Sequence, residues 1–207
     1  MSLSRYSLRT AGFAALYLVA TVAGLATVGS AGGVRLLWPA AVVAAVWLVA
    51  QARWGRRNID VIALTVVAVL APGTGTGNGN GNGNDLLYTF VQAVPQVVPA
   101  VIFAWLFDRW LPGYWLGHGD RFRRVGPSLA RLAAAAVLAA LAGAVLHKVI
   151  NADLTFPEAG YVMVRDATAV LLTVLAARGV RRLGRRPEEP TGRPEEPTPG
   201  RGLRIVR

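Results

Sequence analysis

Arg165 and Asp166 stand side by side inside "GYVMVRDATAVLLTVLAAR", residues 160–178, a stretch otherwise suited to lipid. A charge held at depth in a bilayer costs several kcal/mol unless it finds water or a partner, so this pair is the first candidate for chemistry. If the segment enters the bilayer near Pro157, the two residues lie about 10 Å along its axis. Successive helical residues point about 100° apart, so the two need not satisfy each other. Two readings stand. Arg165 snorkels to the outer headgroups and leaves Asp166 in an outer turn, or the pair faces the bundle and serves signal or ligand sensing.

A second group lies in "DLLYTFVQAVPQVVPAVIFAWLFDRW". Tyr88, Gln92, Pro95, Gln96 and Pro99 are spaced by three and four, which puts them on one helical face. The two glutamines could hydrogen-bond neighbouring helices or the carbonyls that the prolines free. This face is either polar glue at a kink or the wall of a polar cavity. His118 and His147 are isolated and read as exposed or interfacial residues rather than metal ligands. The chain has no cysteine, which excludes disulfides, thiol catalysis and cysteine-based metal sites. No H-E-x-x-H, G-x-S-x-G or phosphate-loop motif occurs. Asp166 also has no second intramembrane aspartate in a recognisable protease motif. The expectation is a protein that is not an enzyme and needs no cofactor or metal.

The elements that must carry these residues follow from the apolar blocks. Of 207 residues 54% are hydrophobic, gathered in long Ala, Val and Leu runs with the charges pushed between them. That arrangement predicts an all-α, polytopic transmembrane helical bundle. Six spans are expected: about 10–28, 36–52, 58–72, 86–107, 128–150 and 157–178. Pro39 suits the first turn of the second, and the third is short. The first has the basic start and small-residue end of a signal peptide, but its apolar run is longer than a typical signal core. It is read as an uncleaved helix.

Arginines near span ends are retained on the cytoplasmic side. Arg5 and Arg9, then Arg53, Arg56 and Arg57, then Arg109, Arg121, Arg123 and Arg124, then Arg181, Arg182, Arg185 and Arg186 fall at alternate ends of the six segments. Both termini are therefore expected in the cytoplasm. The net charge of +11 has the same origin, and nucleic acid is not an expected partner. The "GTGTGNGNGNGND" run has no apolar group to bury and reads as a disordered external loop. RPEEPT, present twice after Arg185, favours extended polyproline conformation. Two parts are expected: an integral membrane domain over residues 1–182 and a disordered Arg/Pro/Glu-rich cytoplasmic tail over 183–207.

Three stretches resemble the first class of membrane-associated sensor (MASE) domains of bacterial signalling proteins. "LLWPAAVVAAVWLVAQARWGRR" looks like that family's second helix, where Trp-Pro leads an Ala-rich helix into a basic turn. "FVQAVPQVVPAVIFAWLFDRWLPGYW" is similar to its central helix, with a mid-span glutamine and an aromatic, basic exit. "YVMVRDATAVLLTVLAARGVRR" looks like its late helix, where Arg or Gly precedes Asp or Asn. The resemblance covers about residues 10 to 182. It implies a sensor module in the bacterial cytoplasmic membrane, usually joined to a kinase, diguanylate cyclase or phosphodiesterase domain.

Carried over by position, the resemblance marks Trp38, Pro39, Gln92, Arg165 and Asp166, to which the helical face adds Gln96. No such output domain follows in this sequence, and the chain is shorter than family members with additional helices. The expectation is a sensor without its own catalytic output. Its expected partners are the lipid bilayer, a separate cytoplasmic kinase or cyclic-dinucleotide signalling protein, and a second copy of the chain in a homodimer. A small transporter or channel component and a non-catalytic membrane scaffold are the alternatives.

Overall fold

The computed structural model describes residues 3–26, 39–51, 57–71, 84–111 and 125–184. Over these residues the chain forms six helices and no strand: α1 Leu3–Ala26, α2 Pro39–Gln51, α3 Arg57–Leu70, α4 Asn84–Trp110, α5 Val125–Ile150 and α6 Phe156–Gly184. Trp38, residues 73–83 of the Gly-Asn run, His118 and residues 185–207 lie outside the described residues. The helix order agrees with the apolar blocks, while the lengths differ. Four helices are long and apolar enough to cross a membrane, within Leu3–Ala26, Leu87–Trp110, Gly126–Ile150 and Phe156–Ala177. By contrast α2 has 13 residues and α3 has 14. At 1.5 Å per residue each is about 20 Å long, short of a hydrocarbon core of about 30 Å.

Many large apolar side chains face outward, and α5 turns a row of small ones inward. On α5, Ala135, Ala136, Ala139, Ala140 and Ala144 are buried, while Val137, Leu138, Leu141 and Val145 are exposed. Leu16, Val19 and Val22 of α1 and Val164 and Leu172 of α6 also face outward. In water such a surface would be an aggregation hazard. In lipid it is the expected one: apolar tails solvate the large residues, and small residues let helix backbones approach. The described residues thus form an all-helical bundle with the character of a membrane protein.

The core forms around α2, which packs on α1, α3, α4 and α6. Trp47 of α2 is 0% exposed, and Phe13 of α1 stacks on it with ring centroids 5.9 Å apart. Pro39 opens α2, where its missing N–H costs nothing because first-turn donors have no helical acceptor. α1 begins at Leu3, about seven residues before its apolar run, because Tyr6 and Thr10 make contacts that reward the extra turns. Tyr6 Oη donates to Asp60 Oδ1 of α3 at 2.9 Å, and Gln51 Nε2 of α2 donates to Thr10 Oγ1 at 3.3 Å.

Arg57 of α3 pairs with Asp108 near the end of α4. These contacts gather the start of α1, the end of α2, the start of α3 and the end of α4 at one end of the bundle. At the other end α5 and α6 join through a short connection. Lys148 Nζ donates to Ala152 O at 2.8 Å and also to Leu154 O. Thr155 caps α6: its N–H donates to Glu158 Oε2 at 2.8 Å, and Glu158 N–H returns to Thr155 Oγ1 at 3.4 Å. This reciprocal pair satisfies two donors of the first turn.

Candidate functional site: a small cavity between four helices

The singled-out residues of α4 reach different neighbours. Gln92 Nε2 donates to Tyr88 Oη, one turn earlier, and to Asn151 Oδ1 after α5, both at 3.1 Å. Gln92 is therefore interhelical glue at one end of the bundle. Gln96, one turn further on, accepts a 2.8 Å hydrogen bond from Tyr17 Oη of α1. Tyr17 is only 1% exposed, so this bond ties the half-buried Gln96 carboxamide to α1.

Pro95 and Pro99 lie inside α4. Lacking N–H groups, they deprive the Val91 and Pro95 carbonyls of their helical donors. The Pro95 carbonyl is directed at Gly143 of α5: a β-carbon built there would lie 3.7 Å from its oxygen.

Arg165 and Asp166 of α6 pair with each other. Arg165 Nε donates to Asp166 Oδ1 at 2.8 Å, with the side chains 11% and 21% exposed. Helix geometry alone does not require this pairing. A 100° separation constrains the β-carbons, whereas arginine's stem is long enough to fold back across it. Asp166 also lies within electrostatic range of His147 on α5. That histidine is half-buried in the last turn of α5, with Nδ1 3.1 Å from Gly143 O.

A cavity of about 30 Å³ joins these parts, lined by Gln96 and Pro99 of α4, Ala45 of α2, Ala139 and Gly143 of α5, and Asp166 of α6. A water needs roughly 10–15 Å³ of such space, so one or two water-sized species fit. Two polar groups, Gln96 and Asp166, look into an otherwise apolar chamber at the meeting of α2, α4, α5 and α6. Of the residues expected from sequence, the cavity brings these two together. Arg165 is attached through its partner. Gln92 lies one turn from Gln96, and Pro39 is half-buried at the start of α2.

Sequence reasoning missed Tyr17, Asp60 and Gln51. Asp60 and Gln51 are each 1% exposed, and the signal for them was the one used for Asp166, a polar residue within an apolar segment. Among the described residues no group of three or more His, Cys, Asp or Glu could hold a metal. No protein-family model matches the chain, and no curated protein or solved structure matches it.

Proposed function

We propose that the chain is a sensor module of the bacterial cytoplasmic membrane, of the membrane-associated sensor kind that its sequence resembles. The observation that carries this reading is the cavity holding Gln96 and Asp166 where four helices meet. Arg165 and Asp166 lie on α6, which continues to Gly184 and its arginines. A water-sized species, or a membrane state that alters packing at the cavity, biases the position of α6. Such a stimulus acts only as far as it stabilises one packing over another. The catalytic output is a kinase or cyclic-dinucleotide enzyme on the cytoplasmic side that reads the inner end of α6.

In this reading all six helices pass through the membrane, with α2 and α3 as short passes enclosed by longer ones. The end where Tyr6, Gln51, Arg57 and Asp108 meet is cytoplasmic, because arginines concentrate beside it. The α5–α6 connection and the Gly-Asn run are then external, and both termini are internal.

Fusing a dimerisation-dependent diguanylate cyclase domain after Gly184 gives a readable output. Asp166→Asn and Gln96→Leu should each change cyclic-dinucleotide production several-fold at equal membrane abundance. Leu172→Ala, on the outward face of α6, should leave it unchanged. Equal output from wild type and both cavity variants would overturn the reading.

A further inference from the structure

A second buried polar group lies at the opposite side of α2 from the four-helix cavity, toward α1 and α3. Asp60 is 1% exposed. Its Oδ1 accepts from Tyr6 Oη at 2.9 Å and from Trp47 Nε1 at 3.4 Å, whereas its Oδ2 is buried without a hydrogen-bond partner. Gln51, one turn beyond Trp47 on α2, is also 1% exposed. Its Nε2 donates to Thr10, one turn beyond Tyr6 on α1, and its Oε1 has no partner. The two rungs Tyr6–Asp60–Trp47 and Thr10–Gln51 thus stack along α1 and α2, and each ends in a buried oxygen that accepts nothing.

The charge is unbalanced as well. Among the described residues Asp60 makes no ion pair, whereas Arg57 pairs with Asp108 and Arg165 with Asp166. Arg57, three residues before Asp60, has a buried Nε without a partner. Its guanidinium is nevertheless anchored toward α4 by Nη2, on Asp108 and on Ala104 O at 3.5 Å. The start of α3 contributes about half a positive charge and supports the carboxylate only in part. A buried carboxylate without a counter-charge is costly, and a cation with oxygen ligands removes that cost.

The two unpartnered oxygens, one carboxylate and one carboxamide, carry a single negative charge between them and so match a single positive charge, while calcium and magnesium sites draw on more oxygens, several of them charged or water. We propose that Asp60 and Gln51 hold one small monovalent metal cation, of sodium size, between α1, α2 and α3. Its binding ties the short helices to α1, so that occupancy of this site sets how firmly that half of the bundle is closed.

The test uses the purified full chain in detergent, in choline chloride at constant ionic strength, with NaCl or KCl replacing choline stepwise. The wild-type Tm should rise saturably with sodium, by about 5–10 °C at a hundredfold excess over Kd. Asp60→Asn keeps an acceptor for Tyr6 and should lose the rise. Gln51→Met, close in volume, should shift it to higher sodium concentration. Asp166→Asn, which belongs to the other cavity, should keep the full response. A wild-type Tm indifferent to both alkali cations would overturn the proposal, as would an equal rise in Asp60→Asn or loss of the response in Asp166→Asn. If Asp60→Asn fails to fold, Gln51→Met decides: an unshifted sodium dependence refutes the site.

Discussion

Pro99 of α4 and Gly143 of α5 are so close that a β-carbon on the glycine would lie 2.8 Å from the proline Cγ. A proline ring cannot swing away as a flexible side chain would, so any larger residue at 143 must push the helices apart. Gly143→Ala should therefore cost about 1–3 kcal/mol, the range for inserting a methyl group into a packed interior. In a Pro99→Ala background the same substitution should cost much less, because the ring it strikes is gone. Detergent melting of the four variants gives both values. An equal cost in the two backgrounds would show that the close approach does not limit the helix spacing.

Tyr17 and Gln96 tie α1 to α4. Tyr17→Phe removes the donor and leaves the half-buried Gln96 carboxamide oxygen without this partner, which should lower stability by about 0.5–1.5 kcal/mol. Adding Gln96→Leu replaces both partners with apolar groups and should recover part of that loss. The comparison is again by melting in detergent. A double variant no more stable than Tyr17→Phe alone would mean that Gln96 does not depend on this bond.

The existence and order of the helices were legible in the sequence because apolar runs separated by arginines leave few alternatives in lipid. Their ends were less so. The start of α1 depends on Tyr6 reaching Asp60 and Gln51 reaching Thr10, contacts between segments that no local pattern encodes. The start of α6 was encoded: Thr155 and Glu158 form the Thr-x-x-Glu pattern of a capping box, and that signal was passed over in favour of Pro157. Gln96 and Asp166 were recognisable as polar residues in apolar segments, but their sharing of one cavity depends on helix rotation, which a single sequence leaves open. Asp60 carried the same signal as Asp166 and was overlooked because its segment is short and borders an arginine cluster.

The absence of native cysteines makes single-cysteine labelling clean for testing orientation. A cysteine at Asn80 should react with a membrane-impermeant maleimide in intact cells. Cysteines at His118 and at Arg207 should react only after permeabilisation. External reaction at position 118, or protection at position 80, would refute the orientation.

Arg165 and Asp166 offer the most direct test of whether α6 carries buried chemistry. Their ion pair is mostly covered, so removing one member leaves the other charged in a low-dielectric setting. Breaking such a pair from one side costs about 3–5 kcal/mol, against about 0–1 for an exposed pair at headgroup level. Arg165→Ala and Asp166→Ala should each lower detergent Tm strongly. The double substitution removes both charges together and should cost clearly less than the sum of the single losses. Because Asp166 also lines the cavity beside Gln96, Asp166→Ala should be the more damaging of the two: it takes the carboxylate from the guanidinium and enlarges the chamber at once. Nearly silent single substitutions would show that the pair is solvated at the membrane surface, and the sensing role assigned to it would then be lost.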